Sequence, residues 1–153
     1  MLTYERLSKE YANYNRQEKA PEGFKLHCAK KGGVPDPNTC AVRLAYSIFL
    51  CDRSFFEKLA QKPKTRWYGL PSVASELAVV LNAKLGKAQL VGPSEIEGKT
   101  GIIFFDTITG YERSEGAAGS GHISLWDGTA VVDMVKAPRH YFGRSPRAYF
   151  WDI

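Results

Sequence analysis

The 153-residue sequence predicts an α+β domain in which N-terminal helices pack on a mainly antiparallel sheet. Three observations carry this. Up to Gly86, apolar residues recur three and four apart; beyond it they fall into short β-branched or aromatic runs bounded by turn residues. The two patterns also follow one another instead of alternating, as a parallel βαβ arrangement would require.

Leu2, Leu7, Tyr11 and Tyr14 mark a first helix over residues 2–14, with Thr3 as its N-cap and no capping box, because Arg6 stands where Glu or Gln would be needed. Gly32, Gly33, Pro35 and Pro37 then punctuate a loop. A second helix, capped by Asn38 or Thr39, begins around Cys40 and carries Ala41, Leu44, Ala45, Ile48 and Phe49 at helical spacing, which makes it the buried central helix. Ser54 starts a short helix through Phe55 and Leu59. Ser72 precedes another through Val73, Leu77, Val80 and Leu81, which Gly86 ends. Strands are expected over 88–91, 101–105, 121–126, 129–135 and 148–151.

With 44% apolar residues the chain can build one continuous core, and residues 1–153 are expected to form one domain. Aromatic residues spread along the whole length argue against a long disordered arm. The net charge of +5 favours an acidic partner: nucleic acid, an anionic lipid surface or a carboxylate-rich polymer such as bacterial cell wall. Charge alone does not choose among these. The densest basic cluster, Lys62, Lys64 and Arg66, is short and broken by Pro63, so it reads as solvated surface and not as a nucleic-acid footprint. The first 16 residues lack the apolar run of about seven that a signal peptide needs, and nothing approaches the roughly 18 that span a bilayer. The expectation is a soluble chain made in the cytoplasm without a signal peptide, with no membrane insertion.

Three cysteines, an odd number, leave at least one thiol unpaired in the monomer. A thiolate is stabilised at a helix N-terminus by unpaired N–H groups and the positive end of the dipole, which is where Cys40 falls. A base must come from His27, His122 or His140. In Gly121–Asp133 the Asp127-Gly128 pair signals a two-residue hairpin turn, which pairs Trp126 with Thr129 and sets His122 opposite Asp133. Directly opposed residues have Cβ atoms ~5 Å apart, close enough for a carboxylate to fix the imidazole tautomer. The same register puts Ile123, Leu125, Ala130 and Val132 on the other face as an apolar layer for the helices. A helix-start Cys followed by a strand His and a third polar group is the order of papain-like hydrolases.

Other signals fall away. Gly92–Thr100 has five residues between its glycines where a phosphate-binding loop has four, and it precedes a strand. Gly116, Gly119 and Gly121 also precede a strand and read as a flexible loop beside the histidine. His27 and Cys28 lack the spaced partners of a zinc site, so no metal or other cofactor is expected. Cys51 lies ~16 Å along the helix from Cys40, too far for a disulfide, while a Cys28–Cys51 bond stays open. Arg43, one turn past Cys40, can meet acidic substrate or form a structural salt bridge.

The run Asn38-Thr39-Cys40-Ala41-Val42-Arg43-Leu44-Ala45, together with Gly121-His122-Ile123-Ser124-Leu125-Trp126-Asp127-Gly128, resembles the fourth family of type VI secretion amidase effectors, papain-like peptidoglycan amidases related to NlpC-type peptidases. The likeness extends from about Pro35 to Asp133 and includes the Gly-Ile-Ile-Phe-Phe strand. It implies a papain-like fold and cleavage of the amide between D-glutamate and meso-diaminopimelate in cell-wall stem peptides. It also implies delivery by the type VI secretion apparatus into a rival's periplasm, and a cognate immunity protein in the producer. Cys40, His122 and Asp133 match the family's catalytic residues, with substrate contacts expected from Arg43, Ser124 and Trp126. Ser124 departs from the common His-Ile-Asp-Leu-Trp form, and the cysteine pair that some members carry in a C-terminal loop is missing. Two other readings compete: a non-enzymatic basic module that binds an anionic polymer, and a papain-like hydrolase acting on a different amide.

Overall fold

Three helices form where apolar spacing predicts them in the computed structural model, which describes residues 1–14, 40–59, 65–67, 70–108, 121–132 and 140–153. Helix α1 (Tyr4–Tyr14) starts after Thr3, whose carbonyl accepts from the Leu7 amide at 3.0 Å and whose hydroxyl accepts from the Arg6 amide at 3.5 Å. Helix α2 (Cys40–Cys51) buries Leu44, Ala45 and Ile48 completely. Helix α3 (Ala74–Leu85) follows Val73, which is extended (φ −116°, ψ 131°) and supplies no side-chain cap; it ends at Gly86, whose φ of 93° favours a residue without a Cβ. Leu7, Leu44, Ile48, Leu77 and Leu81 are fully buried among the helices. Each contributes about 1.5–3 kcal/mol by leaving water, against about 1 kcal/mol for a typical cap.

Two stretches ahead of the main sheet depart from the sequence reading. Residues 53–58 form successive turns in place of the short helix expected from Ser54. Asp52 Oδ1 takes both the Ser54 amide (3.0 Å) and its hydroxyl (2.8 Å), and tight bonds from Phe55 to Asp52 and from Glu57 to Ser54 follow. Local side-chain capture of this kind competes with helix propagation. The second departure is a small hairpin, β1 (Thr65–Trp67) with β2 (Leu70–Pro71), too short for periodicity to reveal.

The main sheet contains β3 (Gln89–Leu90), β4 (Gly101–Asp106), β5 (His122–Trp126) and β6 (Arg147–Asp152) in the order β3-β6-β4-β5, every pair antiparallel. Strand alternation divides the side chains between two layers. Ile102, Phe104, Ile123, Leu125 and Trp151 join the helices. Ile103, Phe105, Trp126, Ala148 and Phe150 form a second cluster with Ile96 and Ile108 on the opposite side. Gly101 permits close approach of β4 and β6, since a Cβ there would run into the Trp151 carbonyl and the Phe150 ring.

The end of β5 corrects the hairpin. The Asp127 carboxylate accepts from the amides of Thr129 and Ala130, both at 2.8 Å, and from the Thr129 hydroxyl at 2.9 Å. The Asp127 amide donates to the Ala130 carbonyl at 3.1 Å, which closes a four-residue turn with Gly128 at φ 103°. Trp126 therefore bridges to Val131 and not to Thr129. A shift of two residues preserves the faces, and Ile123, Leu125 and Val132 do pack on the helical side. Ala130, however, is used in the turn. The turn also gives no reason for Asp133 to fall directly opposite His122, and Asp133 lies outside the described residues.

Candidate active site

Cys40 is the first residue of α2 and is 8% exposed. No acid occupies the first turn of that helix, and the positive end of its dipole lies at the sulfur. Cys51, the last residue of the same helix, sits in the opposite environment. Burial and then the Glu10 carboxylate push its thiol above the ordinary range, with Asp52 adding to the rise and Arg6 opposing it. One helix thus carries a thiol at each pole of its dipole. Cys51 is a free thiol; Cys28, its one open disulfide partner, lies outside the described residues, as does His27.

His122 opens β5 and is also 8% exposed. Helix α2 packs against this strand. Gly121 precedes the histidine, where a Cβ would collide with the Phe104 ring and the Phe105 carbonyl, so the chain enters β5 pressed against β4. Across the ladder His122 faces Phe105. Its imidazole lies 5.1 Å from the Tyr141 ring, tilted by 45°. Tyr141 belongs to a single 3-10 turn, His140–Gly143, between the end of the β5 hairpin segment and β6.

Helix α1 also reaches the His122 side of β5. The hydroxyls of Tyr11 and Ser124, both fully buried, lie 3.2 Å apart. Farther along the strand, burial and then the Asp127 carboxylate raise the Tyr4 phenol above its ordinary pKa. Helix α1 packs mainly on α2, and the Tyr11 hydroxyl ties it to the histidine strand.

The residues expected around substrate divide. Arg43 is on α2, one turn after Cys40, and is 8% exposed. Ser124 and Trp126 have no exposed surface. The Trp126 indole donates to the Ile96 carbonyl at 3.0 Å and meets the edge of Phe142 at 5.9 Å, so both side chains are placed as packing elements beneath the histidine. Sequence reading took Tyr11 only as an apolar position of the first helix and did not single out Tyr141. Neither leaves a local signal: their partners are remote in the chain, and an aromatic residue in a helix or turn is ordinary core material. Among the described residues no group of His, Cys, Asp or Glu side chains is arranged to hold a metal ion, and no helix is long and apolar enough to cross a membrane.

Comparison with known proteins bears on this arrangement. Residues 37–151 match the family model for Tae4, type VI secretion system (T6SS) amidase effector protein 4. The type VI effector Tae4 from Enterobacter cloacae has a similar structure, with a TM-score of 0.69 at 21% identity over 100% of this chain and 97% of that one. The E. cloacae Tae4–Tai4 effector–immunity complex gives 0.66 at 22% identity over 100% and 99%. The Tae4/Tai4 effector–immunity system from Salmonella typhimurium gives 0.67 at 16% identity over 100% and 98%. These likenesses establish a shared fold of helices on an antiparallel sheet, the papain-like arrangement anticipated above. Among curated proteins no match is found.

Proposed function

We propose, because this chain belongs to the type VI secretion system amidase effector protein 4 family, that it is a cysteine amidase cutting the D-glutamyl–meso-diaminopimelate bond of cell-wall stem peptides. The observation that carries this reading is the placement of Cys40: buried at the leading end of α2, free of acids in its first turn, on a helix packed against the strand that His122 opens. A thiol so placed is disposed to ionise, and an imidazole is the group of choice to move its proton near neutral pH.

In the proposed reaction the Cys40 thiolate attacks the amide carbonyl carbon, and the oxyanion is received by backbone N–H groups at the start of α2. His122 gives its proton to the departing amine as the C–N bond breaks. Water, deprotonated by the same imidazole, then hydrolyses the thioester and restores the thiol. Asp133 matches the family's orienting acid and is assigned that role on the resemblance. Arg43, the one cation of α2, is the side chain assigned to the acidic groups of the substrate. Delivery by the type VI apparatus into a target periplasm and neutralisation by an immunity protein complete the reading; the solved relatives in complex with Tai4 support the last of these.

The test is digestion of purified Gram-negative peptidoglycan, with products identified by mass spectrometry. Wild type should release fragments cut at the D-glutamyl–diaminopimelate bond, and Cys40→Ala none. Release by Cys40→Ala would remove the nucleophile assignment, whereas cleavage at another amide would leave the chemistry and refute the bond.

A further inference from the structure

We propose that Tyr141 is a positioning residue for the His122 imidazole, holding the ring in the orientation from which it delivers a proton; this rests on the reading of His122 as the acid–base group. Histidine χ2 is a broad, weakly restrained torsion, so packing must select the ring plane. Tyr141 supplies a flat partner at 5.1 Å with a 45° tilt, inside the range of favourable aromatic pairing.

The tyrosine is itself braced. Its ring lies 5.4 Å from Phe105, the fully buried residue directly across the ladder from His122, so Tyr141 packs on both members of that cross-strand pair. Phe142, the next residue of the turn, meets the edge of Phe105 at 5.0 Å and of Trp126 at 5.9 Å. The turn is also fastened through its backbone. The Tyr141 carbonyl accepts from the amides of Arg144 (3.1 Å) and Ser145 (2.8 Å). The Ser145 hydroxyl lies 2.7 Å from the Asp106 carbonyl at the end of β4 and 2.8 Å from the Arg147 carbonyl at the start of β6, and shares its one proton between them. A turn tied to two strands thereby presses one aromatic ring on the histidine. The contact with the imidazole is made by the ring, which Phe would keep and Leu would not.

Steady-state kinetics on a purified stem-peptide substrate, with Tyr141→Phe and Tyr141→Leu, test the proposal. Phe should stay within about twofold of wild type, whereas Leu should lower kcat by about tenfold to a hundredfold with KM changed less than about twofold, the pattern of a misaimed acid–base group. Wild-type protein should show nuclear Overhauser contacts between the His122 and Tyr141 ring protons. Wild-type kcat in Tyr141→Leu overturns the proposal, as does a rise in KM alone, which would make Tyr141 a substrate contact. Should the Leu variant not fold, absence of the ring contacts in wild type, or a loss in Tyr141→Phe as large as expected for Leu, overturns it equally. Cys40→Ala in the same assay keeps the two claims apart: if it still turns over, the hydrolase reading falls whatever Tyr141 does.

Discussion

A single pair of hydroxyls, on residues 113 apart in the chain, illustrates what individual side chains contribute here. Tyr11 and Ser124 are fully buried, so each oxygen would lose a buried hydrogen bond if the other were removed. Deleting either group should therefore cost about 0.5–1.5 kcal/mol, the net worth of a typical buried hydrogen bond. Deleting both removes the pair together, so Tyr11→Phe with Ser124→Ala should destabilise by clearly less than the sum of the single changes. Urea unfolding of the four proteins of this cycle checks the prediction; strict additivity would show that the two oxygens are not coupled. The two thiols of α2 are the other lesson at this scale. Cys40 and Cys51 share a helix, yet their reactivity is set by which end they occupy and which charges adjoin them.

Elements obey the sequence where burial is one-sided and depart from it where a side chain captures the backbone. Helix α3 follows its apolar pattern but begins at Val73, which has the extended geometry of an N-cap and no oxygen to use it. Val73→Ser should stabilise the protein by about 0.5–1 kcal/mol, read as a rise of a few degrees in the thermal midpoint, because the backbone is already placed to receive the bond. An unchanged or lowered midpoint would mean that the half-buried valine contributes more by packing than a cap returns. The β5 hairpin shows the opposite relation. Asp127-Gly128 is a sound turn signal, and a turn forms. Its length is decided by the Asp127 carboxylate, which gathers the amides of Thr129 and Ala130 and lengthens the loop to four residues.

Stability of the whole molecule carries the signature of that carboxylate. Burial works against the charged form of Asp127, but the Thr129 and Ala130 amides and the Thr129 hydroxyl outweigh it, and the group is held below its ordinary pKa of 3.8. A pKa lowered by folding adds stability that is present above the unfolded value and is lost as pH falls through the folded one. The thermal midpoint of wild type should thus exceed that of Asp127→Asn at pH 7, with the gap closing between about pH 5 and about pH 2. Calorimetry at several pH values checks this, and a gap that stays constant on acidification would show that the carboxylate's charge is not what the amides hold. The sequence by itself determined that helices precede an antiparallel sheet, that Cys40 begins the central helix and that His122 lies in a strand, because periodicity, caps and turn residues act over a few neighbours. Only the tertiary structure decided the register of the β5 hairpin, the burial of Ser124 and Trp126, the contact of Tyr11 with Ser124 and the ring placed against His122. Those depend on contacts between residues far apart in the chain, where many pairings satisfy the local pattern equally and packing selects one.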